Sequence, residues 1–234
     1  MKKPIYNFFI LVLIILLPSC ANYKVQYDSN NSDWKTKTNE YTSEKLEHTL
    51  FLIGDAGNSV DADTPTPALA LLQKKLAEAN ENSHVVFLGD NIYPYGMPPK
   101  SEDEDRLKAE ARLDAQLNIL KDFKGEPIFL PGNHDWIRHG LKGIKRQEKY
   151  IEKHLNAGIK EEDNWKNYFI PDNGCGGPEI IEVNNNLAYV IVDSNWYLRD
   201  WDKDVAINDG CDAKNRKVFD FLFEESLRKN RNKN

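Results

Sequence analysis

Three short apolar runs, each closed by a polar turn and followed by a helical pattern, constrain this chain more than any other feature. Thr49-Leu50-Phe51-Leu52-Ile53 runs into Gly54-Asp55-Ala56-Gly57, and Val85-Val86-Phe87-Leu88 runs into Gly89-Asp90-Asn91. Pro127-Ile128-Phe129-Leu130 then leads to Pro131-Gly132-Asn133-His134-Asp135. Continuous apolar runs of this length, stopped by turn residues, read as buried strands. Leu69, Leu72 and Leu76 recur at helical spacing with Pro65 and Pro67 near the start, which predicts a helix over residues 66–80. An acidic start at residues 101–105 predicts a second helix, to about residue 121, and a third covers residues 141–156. Three strand, turn, helix units in succession imply an α/β fold with a parallel sheet.

After Trp165 the texture changes. Residues 179–183 and 187–193 read as two strands joined by Asn184-Asn185-Asn186, a hairpin-type turn. A last amphipathic helix is expected over residues 214–229. Asp193-Ser194-Asn195-Trp196 reads as a loop tip with one packed aromatic, the alternative being that it lines the mouth of the site; Trp136, Trp165 and Trp201 are assigned to packing.

The residues ahead of the first strand are a different kind of chain. Lys2 and Lys3 precede an apolar run over residues 8–17 that ends at Pro18, Ser19 and Cys20. This run is shorter than the ~20 apolar residues a bilayer span needs, and reads as an export signal. Leu17-Pro18-Ser19-Cys20 resembles the bacterial lipobox, which implies cleavage before Cys20 and its acylation; an ordinary signal peptide or an uncleaved anchor is the alternative. Residues 1–20 are thus read as a lipoprotein-type signal, 21–45 as a polar flexible tether and 46–234 as the folded domain. The expected setting is an exported, membrane-anchored bacterial lipoprotein facing the periplasm or the cell exterior. In that setting Cys175 and Cys211, both in Gly- and Asn-containing loops, either form a disulfide or remain free thiols.

Composition adds two bounds. With 40% hydrophobic and 29% charged residues in 234, there is room for one globular domain with a true core. A net charge of −6 argues against a nucleic-acid partner, which needs concentrated Lys and Arg to neutralise phosphates. No specific protein partner is predicted.

The chemistry sits in the three turns. In an open parallel sheet, ligands bind beyond the carboxyl ends of the strands, so Asp55, Asp90, Asn133 and His134 would converge on one crevice. Hard oxygen donors gathered there favour a metal ion. Taken alone, Asp55 is better explained as a tight turn in which it caps the next helix; three such turns in order point to a site.

The blocks Gly54-Asp55-Ala56-Gly57, Gly89-Asp90-Asn91-Ile92-Tyr93 and Gly132-Asn133-His134-Asp135 resemble the first three motifs of calcineurin-like metallophosphoesterases. Most of that family has Asp-x-His in the first block, where this chain has Gly57. Gly57 together with Tyr93 resembles the purple acid phosphatase subgroup, which lacks that His and places a Tyr three residues after the second-block Asp. The resemblance covers about residues 46–229, and it implies the N-terminal portion of a four-layer α/β/β/α sandwich.

Carried over by position, the resemblance implies two metal ions, Fe(III) plus a divalent Fe, Mn or Zn. Asp55 and Tyr93 would bind the first, Asn133 the second, and Asp90 would bridge both. A carboxylate suits bridging because its two oxygens can hold cations about 3.5–4 Å apart. A phenol ionises near pH 10, so Tyr93 needs a highly charged metal to be phenolate near neutrality, with a violet absorption band as the consequence; packing against Pro94 and Tyr95 is the alternative. His134 would act outside the metals, contacting phosphate or protonating the leaving oxygen. Asp135 would either orient His134 or cap the following turn. Asn58 and Asn91 either touch substrate or shape their turns, the latter being preferred. The implied reaction is hydrolysis of a phosphate-ester small molecule by a metal-bound water or hydroxide.

The resemblance stops short of the family's later motifs. Three more histidines are expected, one after a later strand and two in a Gly-His-x-His block. The five present, His48, His84, His134, His139 and His154, do not supply them. A domain incomplete at its C-terminus is therefore expected, with a non-catalytic metal- or phosphate-binding surface lipoprotein as the alternative function.

Overall fold

The computed structural model describes residues 46–160, 164–199 and 209–231. The segments expected to be an export signal and a tether, with Cys20, lie outside the described residues, as does Trp201. The chain divides between residues 46 and 47, and the described strands and helices all lie in the unit Glu47–Asn234.

Three parallel strands form the centre: β1 (Thr49–Ile53), β2 (Ser83–Phe87) and β3 (Glu126–Phe129), in spatial order β1-β2-β3. Two crossover helices connect them. Helix α1 (Pro67–Glu78) starts at Thr66, whose hydroxyl accepts from the Leu69 N–H, and places Pro67 where its missing N–H costs nothing. Helix α2 (Asp103–Asn118) carries Asp103, Glu104 and Asp105 in its first turn, where the helix dipole favours them. After β3 come a short helix α3 (Asn133–Trp136) and the long α4 (Gly140–Leu155). The sequence pattern suggests a plain turn at residues 131–135; the chain instead goes helical from Asn133, because the Asp135 carboxylate accepts the Gly132 N–H and caps that end.

The alternation of β1 sends Phe51 and Ile53 into the main core, where Phe87 stacks on Phe129 at 4.2 Å between ring centroids. Leu69 and Leu76 of α1 and Leu113 of α2 complete it, each fully buried. At about 25 cal/mol for each Å² of apolar surface removed from water, this cluster is the main source of stability.

The opposite face of the sheet holds a second, smaller cluster of Val86, Ile128, Ile170 and Ile191. It is roofed by an antiparallel hairpin, β4 (Glu179–Glu182) and β5 (Ala188–Ile191), as expected from the Asn-rich turn between them. A five-residue helix α5 (Ser194–Leu198) follows directly, then α6 (Arg216–Lys229), whose Phe219 packs against Trp196 at 5.6 Å. A disulfide joins Cys175 to Cys211, tying the loop before β4 to the segment before α6.

Candidate metal centre

The register of the sheet aligns the strand ends: Ile53 faces Phe87, and Phe87 faces Phe129. The turns beyond them are stitched together by backbone hydrogen bonds. The Asp55 N–H donates to the Gly89 carbonyl at 3.2 Å, the Gly57 N–H to Asp90 at 3.0 Å, and the Tyr93 N–H to Gly57 at 3.0 Å. Asp55 and Asp90 both adopt a left-handed backbone with φ 56°, unusual outside glycine and costing on the order of 1 kcal/mol each. That strain points both carboxylates off the strand ends toward one place.

There the Tyr93 hydroxyl stands 2.5 Å from Asp55 Oδ1 and 3.0 Å from Asp90 Oδ2. Three oxygens from two separate turns thus converge on one point. The hydrogen bond to Asp55, then burial and the bond to Asp90, hold the phenol protonated well above its ordinary range. Only a strongly charged cation placed among these oxygens would displace that proton.

Gly57 is explained by the same packing. A Cβ at residue 57 would lie 2.2 Å from the Asn91 carbonyl carbon and 2.5 Å from the Asp90 oxygen. No side chain fits there while the two turns keep their contact, so position 57 offers no ligand and Tyr93 occupies the space in front of Asp55.

Asn133 opens α3 and lines a crevice of about 230 Å³ together with Asp55, Asp90, Gly132, Ser194, Asn195 and Leu198. His134 is held twice: its backbone N–H donates to Asp90 Oδ1 at 2.9 Å, and its ring Nδ1 lies 2.8 Å from the Pro94 carbonyl. A carbonyl only accepts, so Nδ1 carries the proton and Nε2 is left for chemistry. The ring leans on Tyr93 with centroids 4.3 Å apart.

The orienting partner of His134 is therefore Pro94. Asp135 points the other way, fully buried, and accepts from the N–H groups of Gly132 at 2.8 Å, Ile92 at 3.0 Å and Asn91 at 3.2 Å. It knots the second turn to the third; burial pushes its carboxyl up to about 7 against those hydrogen bonds. Asn91 is also fully buried, its amide donating to the Leu130 carbonyl at 2.7 Å, which puts it out of reach of a ligand in the crevice. Asn58 is exposed beside the first turn.

One wall of the crevice comes from a segment whose sequence reads first as a loop tip. Ser194 and Asn195 face the crevice because Asp193 fixes α5 beside α3: one carboxylate oxygen accepts the Trp196 N–H at 2.9 Å, the other the Trp136 indole N–H at 2.7 Å. An Asp at the end of a strand, three residues before a buried Trp, is the N-cap signal that marks this helix.

The donors fit a cation that prefers oxygen ligands: two carboxylates, a phenol and an amide, at least three of them already gathered. Among the described residues no group of three or more His, Cys, Asp or Glu is assembled, so the remaining coordination positions fall to water, substrate or further ligands. Compared with models of known protein families, residues 48–234 match the one described as calcineurin-like phosphoesterase. No curated protein and no solved structure matches.

Proposed function

The chain belongs to the calcineurin-like phosphoesterase family, metal-dependent hydrolases of phosphate esters with dinuclear centres, and from that premise we propose that its crevice is a site of the purple acid phosphatase type. The observation that carries this reading is the meeting of the Tyr93 hydroxyl with Asp55 and Asp90 in front of a Gly57 that has no room for a side chain. On this reading Asp55 and Tyr93 would hold Fe(III), Asn133 would hold a divalent Fe, Mn or Zn, and Asp90 would serve both.

When bound, the metals supply Lewis-acid polarisation of the ester and activation of water. The protein's own groups do the rest. Asp90 and Asp55 would offset the mutual repulsion of two neighbouring cations by their negative charge, and their strained turns hold them in place before substrate arrives. His134, its Nδ1–H fixed on Pro94, presents Nε2 to the site; in the imidazolium form the second proton sits on Nε2 and passes to the departing alkoxide, leaving the neutral ring with its proton on Nδ1. Ser194 and Asn195 offer neutral hydrogen-bonding groups to the substrate from the opposite wall. Residues 1–20 and Cys20 belong to the same proposal, as export signal and lipid anchor that would deliver the site to phosphate esters outside the cytoplasm.

One observation favours the non-catalytic alternative: four donors are few for two metals. Loading the full chain with Fe(III) and Zn²⁺ and following both the visible spectrum and p-nitrophenyl phosphate hydrolysis separates the readings. A violet band that disappears in Tyr93→Phe, with turnover, is the expected result. The band without turnover supports the binding protein, and a band that survives Tyr93→Phe removes the purple acid phosphatase assignment.

A further inference from the structure

The opposite ends of the same strands carry a second group of polar side chains, built of different chemistry. His48 stands immediately before β1, His84 is the second residue of β2, and Tyr189 reaches them from β5 on the hairpin that roofs this face. His84 Nδ1 lies 3.0 Å from His48 Nε2, and the Tyr189 hydroxyl lies 2.8 Å from the same nitrogen, across 141 residues of sequence.

An imidazole nitrogen offers one in-plane position, either a lone pair or an N–H. His48 Nε2 can thus make one strong hydrogen bond, and here two partners compete for it. The second ring nitrogen of His84 lies 3.7 Å from Glu126 Oε2, the same oxygen that Lys166 holds at 2.5 Å. At that distance the contact is electrostatic rather than a hydrogen bond; the negative charge favours the proton on His84 Nε2 and leaves the Nδ1 lone pair directed at His48. Burial lowers the pKa of both imidazoles, most of all by desolvation, so neither needs to lose a proton near neutrality.

A single ion resolves the competition. Two ligand atoms bound at about 2.0–2.1 Å to one metal with tetrahedral or octahedral angles stand roughly 2.8–3.4 Å apart. Both separations on His48 Nε2 fall in that range.

We propose that His48 Nε2, His84 Nδ1 and the Tyr189 hydroxyl form a site for one divalent transition metal of the zinc or copper class. It is separate from the crevice, about 15 Å away along five-residue strands rising ~3.3 Å per residue. Imidazole selects zinc, copper or nickel over the magnesium or calcium that all-oxygen sites take. Bound there, the ion clamps the entry to β1, the buried strand β2 and the hairpin together, a structural role independent of the phosphoesterase reading.

The test uses the full chain carrying Asp55→Asn and Asp90→Asn, so that the crevice is disabled. Calorimetric titration with Zn²⁺ is expected to show one ion per chain, and His48→Gln or Tyr189→Phe in that background to weaken it at least about tenfold, the size usual for losing a ligand or its support. The electron paramagnetic spectrum of bound Cu²⁺ should carry hyperfine structure from two nitrogens; this needs no substitution in the cluster and so stands even if a variant folds poorly. Absence of Zn²⁺ binding in the crevice-disabled chain, affinity unchanged by His48→Gln, or a copper spectrum without two nitrogens would overturn the proposal.

Discussion

The two ends of one parallel sheet are built in opposite ways. At the carboxyl ends, oxygen donors sit on exposed turns whose backbone is strained, Asp55 and Asp90 both at φ 56°. At the amino ends, His48, His84 and Tyr189 gather half or fully buried, and His84 lies on regular strand paired with Leu50 and Glu126. Strain is therefore concentrated where charge must be held ready for a ligand, and absent where side chains serve to join elements. The same strands supply both, since a strand fixes its two ends equally well and leaves the chemistry to whatever residues stand there.

The largest effect expected to separate the ends is that of Asp90→Ala. Asp90 meets Tyr93 through one oxygen and the His134 backbone through the other, so its loss removes the proposed bridging carboxylate and frees the helix that carries Asn133 and His134. Loss of a single preorganised electrostatic contact commonly costs about 100-fold or more in rate. Hydrolysis of p-nitrophenyl phosphate by metal-loaded protein should fall at least that far, while Zn²⁺ binding at His48 and His84 stays unchanged. Equal loss of both would mean that the ends are not independent.

A matched pair of glycines sharpens the contrast. Gly57 at the front and Gly125 at the back both lie against backbone: an added Cβ would come 2.2 Å from the Asn91 carbonyl carbon in one case and 2.1 Å from the Ser83 oxygen in the other. Gly57→Ala and Gly125→Ala should each destabilise the fold by about 1–3 kcal/mol, the usual cost of overpacking. Urea unfolding measures that cost. Only Gly57→Ala should also lower metal-dependent turnover, because it pushes apart the two turns that aim Asp55 and Asp90; a turnover defect of equal size in Gly125→Ala would break the comparison.

Much of the front end is legible in the sequence because each of its parts is contiguous: a strand, its turn and the candidate ligand lie within a few residues, and the parallel order then brings Asp55, Asp90 and Asn133 to one crevice. The division of labour between neighbours is less legible. Asp135 has two sensible roles beside His134, and its burial decides for holding the Asn91 and Ile92 backbone. Ser194 and Asn195 reach the crevice through the bond of Asp193 to Trp136, 57 residues away, and no local pattern encodes such a partner. His48 and Tyr189 are further apart still, and neither belongs to a spacing pattern that marks a ligand set.

The smallest expected effect concerns the wall that completes the front end. Asp193 is almost wholly buried, and desolvation pushes its carboxyl up to about 6, against the opposing hydrogen bonds from Trp196 and Trp136. The folded state thus keeps the proton to a higher pH than the unfolded chain, whose carboxyl ionises near 3.8. Between those values the folded state binds more protons, so this residue's contribution to stability is full below pH 4 and is lost as pH rises through 6. At the back, Glu126 is held below its ordinary value by Lys166, and its solvent-screened contribution runs the other way, lost as pH falls. Asp193→Asn should flatten the decline of stability between pH 4 and 6, changing the slope by roughly 1 kcal/mol per pH unit. Urea unfolding at several pH values measures that slope. A slope unchanged by the substitution would show that the bonds of Asp193 to the two tryptophans outweigh its burial, leaving α5 anchored to α3 at every pH.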